Sequence, residues 1–203
     1  MIATILRARL PRHEQSTYLE SSSRAVLELL QAEKIEFAVI TEFPDLPPPT
    51  LGGLSVRGLG TEQVLIGLCP EHRLALRPVV ELEELAEDGW IAPGERSDGL
   101  GLSLRVACAR AGFSPRFRYL GPDQATAAAI VGAGHAVGVF LPPGCHHLPG
   151  LALKPLADGR LWRRTSLAWR TDSPLAAIAE AIRFEAVHAE AIRDEALSHP
   201  DPP

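Results

Sequence analysis

The chain has 203 residues, enough for one sizeable domain or two small lobes. With 46% apolar and 22% charged residues it can build a proper core and does not read as disordered. Its net charge of −5 argues against a nonspecific nucleic-acid binder; the short basic runs at Arg7–Arg9 and Arg160–Arg164 read as solvated surface. The three cysteines, Cys69, Cys108 and Cys145, are far apart and odd in number, which argues against a disulfide framework. Met1–Arg7 has no charged segment leading into a long apolar one, and no apolar run approaches a membrane span. The expectation is a cytoplasmic protein with no membrane partner.

Met1–Arg9 has helical composition and stops at Pro11, and Ser16–Glu20 suits a short strand. Ser21-Ser22-Ser23 offers hydroxyls to cap a helix from about Arg24 to Glu33, with Val26, Leu27, Leu29 and Leu30 as its core stripe. Ile35–Ile40 is nearly continuous in apolar residues, which suits a buried parallel strand. Strand, helix and strand at this spacing make a βαβ unit. Pro44, Pro47, Pro48 and Pro49 mark an ordered surface loop rather than a linker, because regular structure resumes at once.

Leu51–Leu59 and Gln63–Cys69 read as one long strand or two sequential ones. Pro70–Ala75 turns into a loop that holds His72, Glu81–Leu85 is a short helix and Gly89–Ala92 a short strand. Gly94, Gly99 and Gly101 surround Ser97 and Asp98, ahead of a helix from about Leu102 to Ala111 with Gly112 just past its end. From Ala111 to Pro142 the pattern is strand, helix, glycine-marked turn and a second, buried strand. Such a unit sets a helix N-terminus beside a strand end, where α/β proteins bind small ligands. Leu151–Leu156 and Thr165–Arg170 follow as strands. Ser173 and Pro174 open a long C-terminal helix faced by Leu175, Ile178, Ile182, Ala186 and Ala189. The last residues, Ser198–Pro203, read as a frayed tail, and Trp90, Trp162 and Trp169 as packing residues.

In order and spacing the chain resembles the effector-binding domain of LysR-type transcriptional regulators. Leu68-Cys69-Pro70-Glu71-His72-Arg73-Leu74-Ala75 is similar to the family's LPxxHPLA segment, with Arg73 in place of proline. Val80–Leu85, Trp90-Ile91, Ala111-Gly112-Phe113-Ser114-Pro115, Val131–Pro142 and Arg164–Arg170 match further signatures in sequence. The resemblance implies an α/β fold of two Rossmann-like lobes joined by crossing strands, like type 2 periplasmic binding proteins. The first lobe would combine 1–59 with 162–203, and the second would span 60–161. The family's domain opens with a strand carrying Ser or Thr toward the cleft. This chain reads as starting inside the helix after it, so the first lobe lacks that strand and the cleft's completeness is in question. The family's N-terminal helix-turn-helix is not seen either. Met1 then marks a truncated form, a natural short product or a misassigned start. Glu36 stands where the family has Asp and keeps the carboxylate on a longer arm.

The function implied is sensing of a small organic effector, an anion among the candidates, with transcription controlled through ligand-dependent lobe and oligomer rearrangement. In the second lobe, Ser97, Asp98 and Gly99 lead into a helix whose amides could hold a carboxylate or phosphate, Asp98 having capping as its alternative role. Asp123 is an N-cap by default, with Gln124 and Thr126 as ligand donors and Pro142 at the strand end beside them. Thr41, Glu42, Ser21 and Ser22 are the first-lobe counterparts. Cys145-His146-His147 is the one local cluster with metal-binding or nucleophilic residue types, but adjacent histidines diverge and no carboxylate is near, so neither a metal nor a cofactor is expected. The resemblance also implies a homodimer or tetramer, with the helix from Arg24 and the C-terminal helix as candidate surfaces. DNA would be reached only through a helix-turn-helix outside this chain. Two rivals share the fold: a transporter's solute-binding protein, disfavoured by the absence of a signal sequence, and an enzyme using Cys145 or a histidine, for which no paired acid and base is found.

Overall fold

The computed structural model describes residues 22–48, 52–94, 99–142, 148–185 and 187. The chain divides into two compact units. Unit 1 comprises 1–41, 48–60 and 164–203, and unit 2 comprises 42–47 and 61–163. The strand expected at Ser16–Glu20 and the end of the C-terminal helix lie outside the described residues.

In unit 1, α1 (Ser23–Gln31) is capped by Ser22, whose side chain accepts from the Ala25 amide. The helix buries Val26, Leu27 and Leu30 against Ala38 and Ile40 of β1 (Phe37–Glu42) and Ala168 of β8 (Trp162–Arg170). With β2 (Leu54–Gln63), these strands form a sheet of order β1-β8-β2. β1 departs from the fully buried strand its apolar run suggests: its burial alternates, and Val39 is 45% exposed. One face of β1 lies under α1. On the other, Phe37 joins a cluster with Leu167, Trp169, Ala179 and Ile182, which does not extend over Val39. Ala179 and Ile182 come from α4 (176–185), whose start is capped by Ser173 Oγ accepting from the Leu175 amide at 3.1 Å. Glu36 holds this corner together, receiving a hydrogen bond from Ser173 Oγ at 3.3 Å and facing Arg170 at 3.6 Å.

Unit 2 is built on β3 (Leu65–Leu68), separated from β2 by Val64, so the two strands are sequential. β3 pairs antiparallel with β6 (Gly138–Phe140) on one side and β7 (Ala152–Pro155) on the other. β4 (Gly89–Ala92) and β5 (Arg116–Leu120) pair in parallel, connected by α2 (Leu100–Arg110) in the βαβ manner. Val137 bridges this pair to β6: its amide donates to Gly89 O at 2.8 Å, and its carbonyl accepts from Ile91 N at 2.9 Å. α2 closes as its sequence suggests, with Gly112 in the left-handed region at φ 83°, where a Cβ would be strained. Its inner face, Leu100, Leu104, Ala107 and Cys108, packs on Trp90, Ile66 and Leu68. Residues 42–47 belong to this unit because Phe43 enters the same core, Ser103 Oγ donates to Pro44 O and Arg110 pairs with Asp45.

Arg73 occupies the position where the resemblance has proline, and its guanidinium donates to Asp88 at 3.0 Å and to the Glu84 carbonyl. It thereby ties the loop after β3 to the short 3-10 helix Leu82–Leu85. His72 joins the tie through Asp88 at 3.3 Å.

Candidate functional site

The site begins with strand ends. β4, β5 and β6 bring Ala92, Leu120 and Phe140 to the points where the chain leaves the sheet, and α3 (Gln124–Gly132) starts beside them. Their flanking residues enclose a cleft of about 1140 Å³ lying wholly within unit 2. Ile91–Gly94 line it at and just past the end of β4, Leu120–Gln124 at and just past the end of β5, and Val139, Leu141 and Pro142 around the end of β6. Leu100 and Arg105 contribute from α2, and Arg163 from β8. The walls expose polar and apolar surface in comparable measure, with several polar side chains converging on them.

The polar groups are held in different ways. Asp123 caps α3: its Oδ1 accepts from the Ala125 and Thr126 amides, both at 3.0 Å, and its Oδ2 from Thr126 Oγ1 at 2.7 Å. The Thr126 amide and hydroxyl hold the carboxyl below its ordinary value of 3.8. Gln124 Nε2 donates to the Leu141 carbonyl at 3.4 Å. Arg163 pairs with Glu62, Nε to Oε2 at 3.1 Å, and its Nη2 donates to the Pro142 carbonyl at 2.8 Å. Both carbonyls at the end of β6 are thus gripped by side chains of the cleft wall. Arg105 lies over the Phe117 ring, 4.4 Å from its centroid, and makes no ion pair among the described residues.

Of the residues singled out in the sequence, Gln124 and Pro142 line this cleft. Thr126 is engaged in the Asp123 cap. Gly99 precedes α2 at φ 99°, where an added Cβ would meet Leu46 Cδ1 at 2.8 Å. In unit 1, Ser22 caps α1, while the Thr41 amide donates to Ser23 Oγ at 2.9 Å, placing the start of α1 beside the end of β1. Glu42 is the last residue of β1. Ser21, Ser97, Asp98 and the Cys145-His146-His147 cluster lie outside the described residues. Sequence reasoning missed Arg105 and Arg163, whose partners are 12 and 101 residues away.

The cap gives a direct prediction. Because folding depresses the Asp123 pKa, its contribution is present above the usual carboxylate range and is lost as the pH falls through the depressed value. Replacing Asp123 with Ala should lower the melting temperature at neutral pH and flatten its fall between about pH 5 and pH 2. Thermal melts of both proteins across that range check it; superimposable curves would show that the cap contributes nothing, and a constant offset that the carboxylate's charge is not what stabilises.

A helix start and several strand ends around one cleft make an α/β arrangement of the kind that holds small molecules. Comparison with known proteins makes this specific. The family model described as LysR substrate binding domain matches residues 4–189. A small neutral protease regulatory protein of Streptomyces coelicolor is 30% identical over 189 residues, covering 93% of this chain and 58% of the relative. The HTH-type transcriptional regulator ShiR of Corynebacterium glutamicum (strain R) is 29% identical over 160 residues, 73% of this chain and 52% of that protein. Among solved structures, the C-terminal domain of a probable LysR family transcriptional regulator from Rhodococcus sp. RHA1 superposes with a TM-score of 0.71 at 23% identity, over 91% of this chain and 89% of that one. The chain belongs to the LysR substrate-binding domain family, the effector-sensing class of domain in LysR-type transcriptional regulators. It spans about half the length of the curated relatives it matches.

Proposed function

We propose that the unit 2 cleft binds a small organic effector, and that the chain acts as the sensing part of a cytoplasmic transcriptional regulator. The observation that carries this reading is the convergence of three strand ends and the start of α3 on one cleft of mixed polar and apolar lining. DNA contact would come through a helix-turn-helix outside this chain, and the bound state would be passed on by ligand-dependent rearrangement within a dimer or tetramer. Arg163 is the last residue of unit 2 before β8 enters unit 1, so a ligand that disturbs the Arg163–Glu62–Pro142 contacts acts at a chain crossing.

Binding without turnover is the expected behaviour. Burial pushes the Cys108 thiol up to about 12, so it is held as a thiol, while Cys145, the cysteine weighed as a nucleophile, lies outside the described residues. No group of three or more His, Cys, Asp or Glu among the described residues could hold a metal. No helix among them is long and apolar enough to cross a membrane.

The test is a thermal-shift screen of small metabolites followed by hydrogen exchange on the hits. Added protection should concentrate in 91–94 and 120–127. Hits that protect only other segments, or no hits at all, would sink the reading.

A further inference from the structure

Thr41 of β1 belongs to unit 1, yet the next six residues, 42–47, belong to unit 2. The chain is anchored on both sides of that change. On the unit 1 side, Ser23 at the start of α1 grips both backbone groups of Thr41. Its Oγ accepts from the Thr41 amide at 2.9 Å and donates to the Thr41 carbonyl at 3.2 Å, and Ser23 is itself buried. On the unit 2 side, Phe43 is buried in the core cluster that holds Leu100, Leu104 and Ala107 of α2, and Leu46 packs on the same cluster. Ser103 Oγ donates to the Pro44 carbonyl at 3.2 Å, and Arg110 pairs with Asp45. Ser103 and Arg110 stand seven residues apart, so these ties lie along one face of α2.

The link between the two anchors has little slack. Only Glu42 separates Thr41 from Phe43, and each residue of extended chain spans at most about 3.3–3.6 Å. Pro44 and Pro47 fix φ within the segment and stiffen it further. A shift of α2 that carries Phe43 and Pro44 with it must therefore pull on Thr41, and through Ser23 on the start of α1. A flexible linker would absorb such a shift; this segment is held by buried side chains at both ends.

We infer that residues 42–47 are a strap that couples α2 of unit 2 to β1 and α1 of unit 1, in addition to the chain crossings at 60–61 and 163–164. The coupling does not depend on what the cleft binds. Native-state hydrogen exchange on the whole chain tests it. Leu104→Ala opens a cavity on the buried face of α2. It should lower amide protection about tenfold in 100–110 and, through the strap, in 24–31 and 38–41 as well. Two glycines inserted between Glu42 and Phe43 keep every anchor but add slack, at a small cost in loop entropy. In that background Leu104→Ala should still loosen 100–110, while the loss in 24–31 and 38–41 shrinks to about threefold or less. An equal loss in unit 1 with and without the insertion, or no loss there at native length, would overturn the strap. If the insertion itself prevents folding, Phe43→Ala is the second arm, since it cuts the unit 2 anchor without lengthening the chain. Adding Leu104→Ala to it should then leave 38–41 no less protected than Phe43→Ala alone; a further tenfold loss overturns the proposal.

Discussion

Trp90→Ala should destabilise unit 2 by about 3–5 kcal/mol, the usual cost of truncating a buried tryptophan. Its ring is fully buried in the larger core cluster, tilted against Phe113 at 6.4 Å between centroids. The loss is one of packing. Trp90 Nε1 donates to Leu85 O at 3.3 Å, but that carbonyl also accepts from the Asp88 amide at 3.1 Å and is not orphaned. Trp90→Phe, which keeps most of the ring volume, should therefore cost clearly less. Domains are stable by only about 5–15 kcal/mol, so the alanine variant loses a large share of its reserve. Because β4 continues from Trp90 into the cleft-lining Ile91–Gly94, effector binding should fail along with it. Hydrogen exchange on the variant gives the check. Protection should drop across β4, β5 and β6; a drop confined to 89–92 would mean that the ring does not support the unit's core.

The parts of this architecture legible in the sequence are those encoded locally. Ser22 and Asp123 announced helix starts through their side chains, and Gly112 announced an end through its backbone freedom. The Ala111–Pro142 unit could be read for the same reason, and it does supply part of the cleft, through Leu120–Gln124 and Val139–Pro142. What could not be read depends on distance along the chain. Arg105 looks like any exposed helix residue until Phe117 is placed beneath it, and Arg163 looks like surface charge until β2 supplies Glu62. β1 misled for a related reason: an apolar run shows what can be buried, whereas the extent of the neighbouring cluster decided that Val39 would not be. Arg73 in place of a proline had no local meaning until the fold set it against Asp88 and Glu84.

Gly67→Ala should be the most damaging single-methyl addition to unit 2. Gly67 lies in β3 between Gly138 of β6 and Leu153 of β7, paired on both edges, so its backbone has little room to retreat. A Cβ there would fall 2.2 Å from Phe140 Cε2 and 2.6 Å from Cδ2, far inside van der Waals contact. Phe140 is itself fully buried, packed among Ile91, Ala128 and Val131, and cannot swing aside cheaply. Overpacking of this kind costs about 1–3 kcal/mol and more where neighbours are fixed, so the upper end is expected. The strain should also reach the site, because the Phe140 backbone leads directly into Leu141 and Pro142, whose carbonyls Gln124 and Arg163 hold. Phe140→Leu separates this account from a simple glycine effect. Alone it should destabilise by leaving a void, yet combined with Gly67→Ala it should cost less than the two changes summed, since the shorter side chain vacates the space the methyl needs. Chemical denaturation of the two single variants and the double variant measures the coupling. Strict additivity would show that the Gly67 requirement arises from the backbone rather than from the Phe140 ring.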